Sequence, residues 1–426
     1  MIKNRNEIPE TKRYRKYFYD KLTGIALMII FVSLIILLEK SVDFHENKDY
    51  AQNDYLTVWY NDAGFDNYFN VMAEEYEAFK GIKVKAVYIS DIDYFNSINK
   101  AEHRADDTVE EAPDVYLINA EELEEAFGYG LAEENKYDDY SEENFPQSAI
   151  NAVKYKDKLI AYPLCFDTVF MIYNPALFNE SPRTFDEILK LESQFDWEAN
   201  PSVRHILYWN IADITHNYGF VGKYAVAGGK SGDDRENIDL NNENVINAFA
   251  YYSGFSDVLN IKLTDNFDVI PSAFSKGNVA CTIINMHEYN KITADENMSI
   301  EYKICEVPDM TETMETSQLS NTKVLAVNYM SDKIQLAEEF ARYTTYEQTE
   351  KVYELTGYLP AKKTEYENED FNVIMSQYEK SVNLPKLMMM EDYYLKMESV
   401  FNKAWKKENI TDNLESIQYE YMERLN

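Results

Sequence analysis

Along the chain, short runs of β-branched and aromatic residues alternate with longer segments whose apolar positions recur every three or four residues. Leu56 to Tyr60 (LTVWY) reads as a buried strand, Phe65 to Phe79 as an amphipathic helix, Ile82 to Ile89 as a second strand, and Tyr94 to Ala105 as a second helix. Pro113 opens a third strand, PDVYLI, and Ala120 to Phe127 predicts the helix after it. Strands alternating with helices predict an α/β unit with a largely parallel sheet. Farther on the pattern turns mainly helical, over Phe185 to Phe195, Arg204 to Tyr218 and Asn244 to Leu259. Strands follow at Val279 to Ile284, at Tyr302 to Cys305 and from Lys323 (KVLAVNY). Helical periodicity closes the chain through Gln335 to Tyr343, Tyr346 to Leu355, Tyr393 to Trp405 and Asn413 to Leu425.

Between these halves lies KDKLIAYPLCFDTVFMIYNPALF, Lys156 to Phe178, in which two apolar runs flank a lone carboxylate, Asp167. Pro163 interrupts the first run, and Asn174 with Pro175 ends the second as a turn. A charged side chain in so apolar a stretch is seldom fully buried without a partner, so Asp167 is expected to face a wet opening or an ion-pair partner.

One more apolar run has a different length. Leu22 to Leu38 (LTGIALMIIFVSLIILL) carries no charge and follows seven basic residues set against Glu7, Glu10 and Asp20. That meets the minimum for a spanning helix, and the basic arm predicts a cytoplasmic N-terminus. A cleaved signal peptide shares this pattern, but EKSVDFHENKDYAQND offers no small-residue cleavage site and no cysteine for a lipid, which favours an uncleaved anchor. Glu39 to Asp54 is polar and reads as a stalk.

With 426 residues, two lobes are expected. The net charge of -34 argues against a nucleic-acid surface. Cys165, Cys281 and Cys305 are too scattered for a disulfide framework and are expected to be free thiols. His45, His103, His205, His216 and His287 show no metal-binding spacing, and GGKSGDD at Gly228 lacks the full phosphate-loop pattern. Asp233 to Glu243 lacks the glycine that a calcium loop needs at its turn. No catalytic residue, metal or cofactor is therefore assigned. Glu121 and Asp167 form the only carboxylate pair suited to glycoside chemistry, and sugar binding accounts for both without it.

The segments TVWYNDAGFDNYFNVMAEEYEAFKGIKV, APDVYLINAEEL, KDKLIAYPLCFDTVFMIYNPALF, AFSKGNVACTIINMHEY and TGYLPA carry a resemblance over nearly all of Leu56 to Asn426. The chain resembles the extracellular solute-binding proteins of ABC importers, and among them the maltose/maltodextrin-binding family. The resemblance implies an α/β, two-lobed periplasmic-binding-protein-like fold with an interlobe cleft, here preceded by one N-terminal transmembrane helix. Together with the apolar run and the polar stretch after it, this divides the chain into an arm at 1–21, an anchor at 22–38, a stalk at 39–54 and a binding domain at 55–426. One lobe would take about 55–165 and 308–357, the other about 167–305 and 358–426.

Asp167 would then sit where the chain crosses between lobes and accept hydroxyl hydrogen bonds from a sugar, or else serve as an ion-pair partner at the hinge. Glu121 falls where the family uses an Asp against hydroxyls, with a solvated helix start as the alternative. Tyr394 falls on a stacking Trp, although its spacing with Met397 and Phe401 also suits a core. His287 stands in the place of another stacking Trp. Asn61 and Trp59 follow the family pattern, Trp59 as a core residue. Trp209 and Tyr218 are either stacking residues of the second lobe or buried helix residues. Ile118, Ala63 and Gly64 depart from the family's sugar-gripping groups, which puts maltodextrin itself in doubt. The implied function is a monomeric, membrane-tethered extracellular receptor that delivers a small polar ligand, a saccharide, to an ABC permease. The alternative is a ligand sensor that docks on a membrane signalling partner.

Overall fold

In a computed structural model, residues 55–90, 94–102 and 111–424 are described; the arm, the Leu22–Leu38 anchor and the stalk lie outside them. Among the described residues no helix is long and apolar enough to cross a membrane.

The opening strand, Tyr55–Tyr60, pairs in parallel with Lys83–Tyr88 and with Val115–Asn119. The helix Asp66–Lys80 makes the first crossover, burying Tyr68, Phe69, Met72, Ala73 and Tyr76 on one face. It ends at Gly81, whose φ of 74° is the left-handed cap that lets its N–H reach the Glu77 carbonyl at 2.8 Å. Three further strands complete the main path of this sheet. Leu319–Val327 runs antiparallel to both Val115–Asn119 and Tyr162–Thr168, and Leu359–Pro360 edges the latter. With Val382–Asn383 beside Leu319–Val327, the sheet has seven strands.

A second, four-stranded sheet has the order Lys303–Cys305, Phe170–Tyr173, Val279–Ile284, His205–Leu207. Only Val169 separates the end of Tyr162–Thr168 in the first sheet from Phe170 in the second. Asp167 thus lies inside the crossing strand rather than between two strands. Pro163 is accommodated where the pairing with Leu319–Val327 slips, between Lys323 and Val324, so its missing N–H costs no regular ladder bond.

Each sheet has its own core. Trp59, Phe95, Tyr116 and Ile118 belong to the first; Met171, Phe185, Trp209, Phe249, Tyr252 and Phe401 belong to the second. Cys165, Cys281 and Cys305 are free, and burial raises each thiol's pKa.

The helix expected over Arg204 to Tyr218 is replaced by the strand His205–Leu207, a turn, and the short helix Ile214–Asn217. Ile206 to Trp209 are all buried, a continuous apolar run that fits a strand as well as a helix. Local side-chain bonds then turn the chain: Asn210 Oδ1 accepts from Ala212 N at 3.1 Å and Asp213 Oδ1 from Thr215 N at 2.7 Å. Trp209 is 0% exposed, meets Trp405 edge-on at 5.8 Å, and donates from Nε1 to Asn217 Oδ1 at 2.9 Å. It is a core residue. Trp209→Ala should lower unfolding stability by about 3–5 kcal/mol, read from urea denaturation, and leave the ligand affinity of the folded fraction unchanged.

Candidate functional site

Two adjoining cavities open between the two cores. The smaller, about 180 Å³, is lined by Asp167, Thr168, Asn285, Lys323 and Tyr358 among others. The larger, about 470 Å³, is lined by Glu121, Glu125, Lys386, Glu391 and Tyr394 among others. Thr215 and Asn321 line both. The larger volume suits a small-molecule ligand.

Strand register places the acceptors. Asn321 is paired with Asp167 across the antiparallel ladder. Asp167 is half-buried and accepts a bond from Met286 N at 3.2 Å, at the start of the helix Met286–Thr293. That helix is capped reciprocally: Asn285 Oδ1 accepts from Glu288 N, and Glu288 Oε2 accepts from Asn285 N, both at 3.0 Å. Burial raises the Asp167 carboxyl to about 6 despite the Met286 bond and the nearby His216 charge. No Lys or Arg among the described residues forms an ion pair with Asp167, so the structure provides no salt bridge at the crossing.

Behind this carboxylate lies a buried charge cluster. His216 Nε2 is 2.9 Å from Glu288 Oε2, and its Nδ1 is 3.7 Å from Asp213 Oδ2. Burial alone would lower the His216 pKa, but its bonds to Asp213 and Glu288 outweigh that and hold it at about 10.

Glu121 leaves the Val115–Asn119 strand in the Ala120–Glu122 turn, and burial raises its pKa. Tyr394 is half-buried on the helix Tyr393–Trp405, and burial pushes its hydroxyl up to about 12. Asp167, Glu121 and Tyr394 are thus brought to adjoining walls. The other expected residues are not. His287 is exposed on the first turn of Met286–Thr293, and Asn61 is half-buried just past the strand Tyr55–Tyr60; neither lines these cavities. Trp209 stays in the core, and Tyr218 is buried with its hydroxyl 2.7 Å from that of Tyr393.

Sequence reasoning missed Lys386, Lys323 and Glu124. Lys386 is 1% exposed and donates to the carbonyls of Asn151, at 2.5 Å, and Ser231; burial lowers its pKa to about 7. A lysine inside NLPKLMMM was the available signal. Lys323 pairs with Asp62 at 3.1 Å. Glu124, 3% exposed, accepts from Arg235 Nη2 at 2.7 Å, Tyr155 OH at 2.8 Å and Met388 N at 2.5 Å. It joins a helix of the first core to loops beside the second.

Comparison with known proteins gives a consistent picture. The family model described as bacterial extracellular solute-binding protein matches residues 71–383. The chain is 24% identical over 312 residues to the maltodextrin-binding protein MdxE of Bacillus subtilis (strain 168), spanning 69% of this chain and 72% of that protein. It is 21% identical over 390 residues to a maltooligosaccharide ABC transporter solute-binding lipoprotein of Streptococcus pneumoniae (strain ATCC BAA-255 / R6), spanning 87% and 89%. Among solved structures, an extracellular solute-binding protein from Staphylococcus aureus in complex with maltose matches with a TM-score of 0.75 and 18% identity, over 87% of this chain and 98% of that one. The structural likeness gives the fold: an α/β solute-binding-protein architecture.

The His216 cluster predicts a pH dependence of stability. A histidine titrating near 10 when folded and at an ordinary 6.5 when unfolded contributes stability that is complete below 6.5 and lost as pH rises towards 10. Urea titrations across that window should show stability falling by up to about 1.4 kcal/mol per pH unit from this group. In His216→Gln, whose baseline stability is lower, that slope should disappear.

Proposed function

The chain belongs to the bacterial extracellular solute-binding proteins, and on that premise we propose that it captures a saccharide between its two α/β bodies and hands it to an ABC permease. The observation that carries this reading is Asp167, set in the strand that crosses between the sheets and lining a cavity, with no ion-pair partner among the described residues. A carboxylate so placed accepts hydroxyl hydrogen bonds, and the aromatic face of Tyr394 adds apolar contact for a sugar ring. Relatives named for maltodextrin and maltooligosaccharide binding support the same ligand class. Glu121, from the first body, and Tyr394, from the second, would both touch the ligand only when the bodies are together. Ligand therefore favours the closed state by its differential affinity. In this reading the protein is a monomeric receptor that performs no chemistry, and 55–165 with 308–357 moves as one lobe against 167–305 with 358–426.

Isothermal calorimetry against mono- and oligosaccharides tests the capture. Asp167→Ala should weaken binding of whichever saccharide registers by about 1.5–3 kcal/mol, the range for a hydrogen bond to a charged group, with the fold intact. Unchanged affinity alongside lost thermal stability would make Asp167 a structural hinge residue instead.

Leu22 to Leu38 would hold the receptor at the membrane, with the binding domain outside. The native protein should keep its N-terminus and stay with membranes through a high-salt wash. An N-terminus beyond Leu38 on the purified protein would rule the anchor out.

A further inference from the structure

Ala63 and Gly64, just past the strand Tyr55–Tyr60, carry no side chain that can form a hydrogen bond, yet a donor and an acceptor stand beside them. Asp62 caps the turn Ala63–Phe65, its Oδ1 accepting from Gly64 N at 2.9 Å. A β-carbon at position 64 would lie 3.1 Å from that oxygen, so glycine gives the carboxylate room over the turn. The Oδ2 of Asp62 meets Lys323 Nζ at 3.1 Å, and Lys323 also donates to Asn119 Oδ1 at 3.4 Å.

Strand register sets this pair beside the acceptors of the smaller cavity. Residues two apart on a strand share a face, so Asn321 and Lys323 leave Leu319–Val327 on the same side. Asp167 stands opposite Asn321, and Asn119 opposite Lys323. Asp167, Asn321 and Lys323 all line the cavity, with Asp62 joined to that row through Lys323. The Lys323 charge also reaches the larger cavity, where it offsets part of the burial that raises the Glu121 pKa.

These groups have hydrogen-bonding capacity to spare. An ammonium has three donors and Lys323 uses two; a carboxylate has about four acceptor sites and Asp62 uses two. The Oδ1 of half-buried Asn321 is shielded from solvent and accepts nothing among the described residues. The Lys323 and Asp62 side chains are 19% and 35% exposed, and an ion pair so open to water adds little stability. A donor set among acceptors matches adjacent hydroxyls, each of which both donates and accepts. A ligand carboxylate would gain Lys323 but meet Asp62 and Asp167.

We infer that Lys323 and Asp62 are ligand-binding residues, a clamp in which the Lys323 ammonium donates to one hydroxyl of a neutral sugar while Asp62 accepts from its neighbour. The inference rests on the saccharide-capture reading and assigns the first body's grip on that ligand.

The test is calorimetry on the full chain, in a detergent without a sugar headgroup. The probes are maltose, maltotetraose, cellobiose and β-1,4-galactobiose, followed by the monodeoxy derivatives of whichever binds. Lys323→Met and Asp62→Asn should each weaken binding of the parent sugar by at least about ten-fold. For each variant, one derivative should bind the unsubstituted chain weakly and lose nothing further, because the hydroxyl that the residue holds is already gone. Should Lys323→Met fail to fold, Asp62→Asn decides by the same comparison. Unchanged affinity in either variant, or an equal loss on the parent and every derivative, would overturn the inference and leave saccharide capture standing. Binding of none of the four probes by the unsubstituted chain would overturn both.

Discussion

The antiparallel pairing of Leu319–Val327 with Tyr162–Thr168 is the contact on which the rest of the molecule depends. The second strand continues, after one residue, into the other sheet, so its register fixes where one body ends and the next begins. Side chains alternate along a strand, and a one-residue slip would carry Asp167 to the opposite face. The pairing of Asn321 with Asp167 prevents that and sets two acceptors side by side at the cavity wall. The irregularity at Pro163 sits on the far side of Cys165, away from this end, so the ladder is regular where the site needs it.

Around that strand, buried charges are used to join loops that have little apolar surface of their own. Glu124 gathers Arg235, Tyr155 and the Met388 backbone; Lys386 ties Asn151 to Ser231; His216 links Asp213 to Glu288. Replacing such a buried pair with apolar groups is often neutral, whereas removing one member strands a charge and is strongly destabilising. The contribution of these contacts is therefore geometric: they hold the cavity walls in register more than they add net stability.

Much of this was legible along the chain. The alternation of short apolar runs and amphipathic segments from Leu56 to Phe127 has one reading, and Tyr55–Tyr60, Asp66–Lys80 and Val115–Asn119 match it. Tyr393–Trp405 likewise follows its apolar spacing. Ile206 to Trp209 did not yield, because a run buried on every side has no period to separate strand from helix. Asp167 was legible as an anomaly, a charge where every neighbour is apolar. Glu121 and Tyr394 were legible only through resemblance, and that resemblance also pointed to Trp209 and His287, which the fold places in the core and on an exposed helical turn.

The sequence by itself determined the α/β class and the one carboxylate set in its crossing strand, because these follow from periodicity and local contrast. Which acidic residues share a space, and which groups the lysines meet, was decided only by tertiary structure. Glu125 and Glu391 stand far apart in the chain, and Lys386 looks like any basic residue until its ammonium is seen against two carbonyls. Pairing between distant groups leaves no local signature, since each side chain's charge is fixed by its own chemistry and its partner only by the fold.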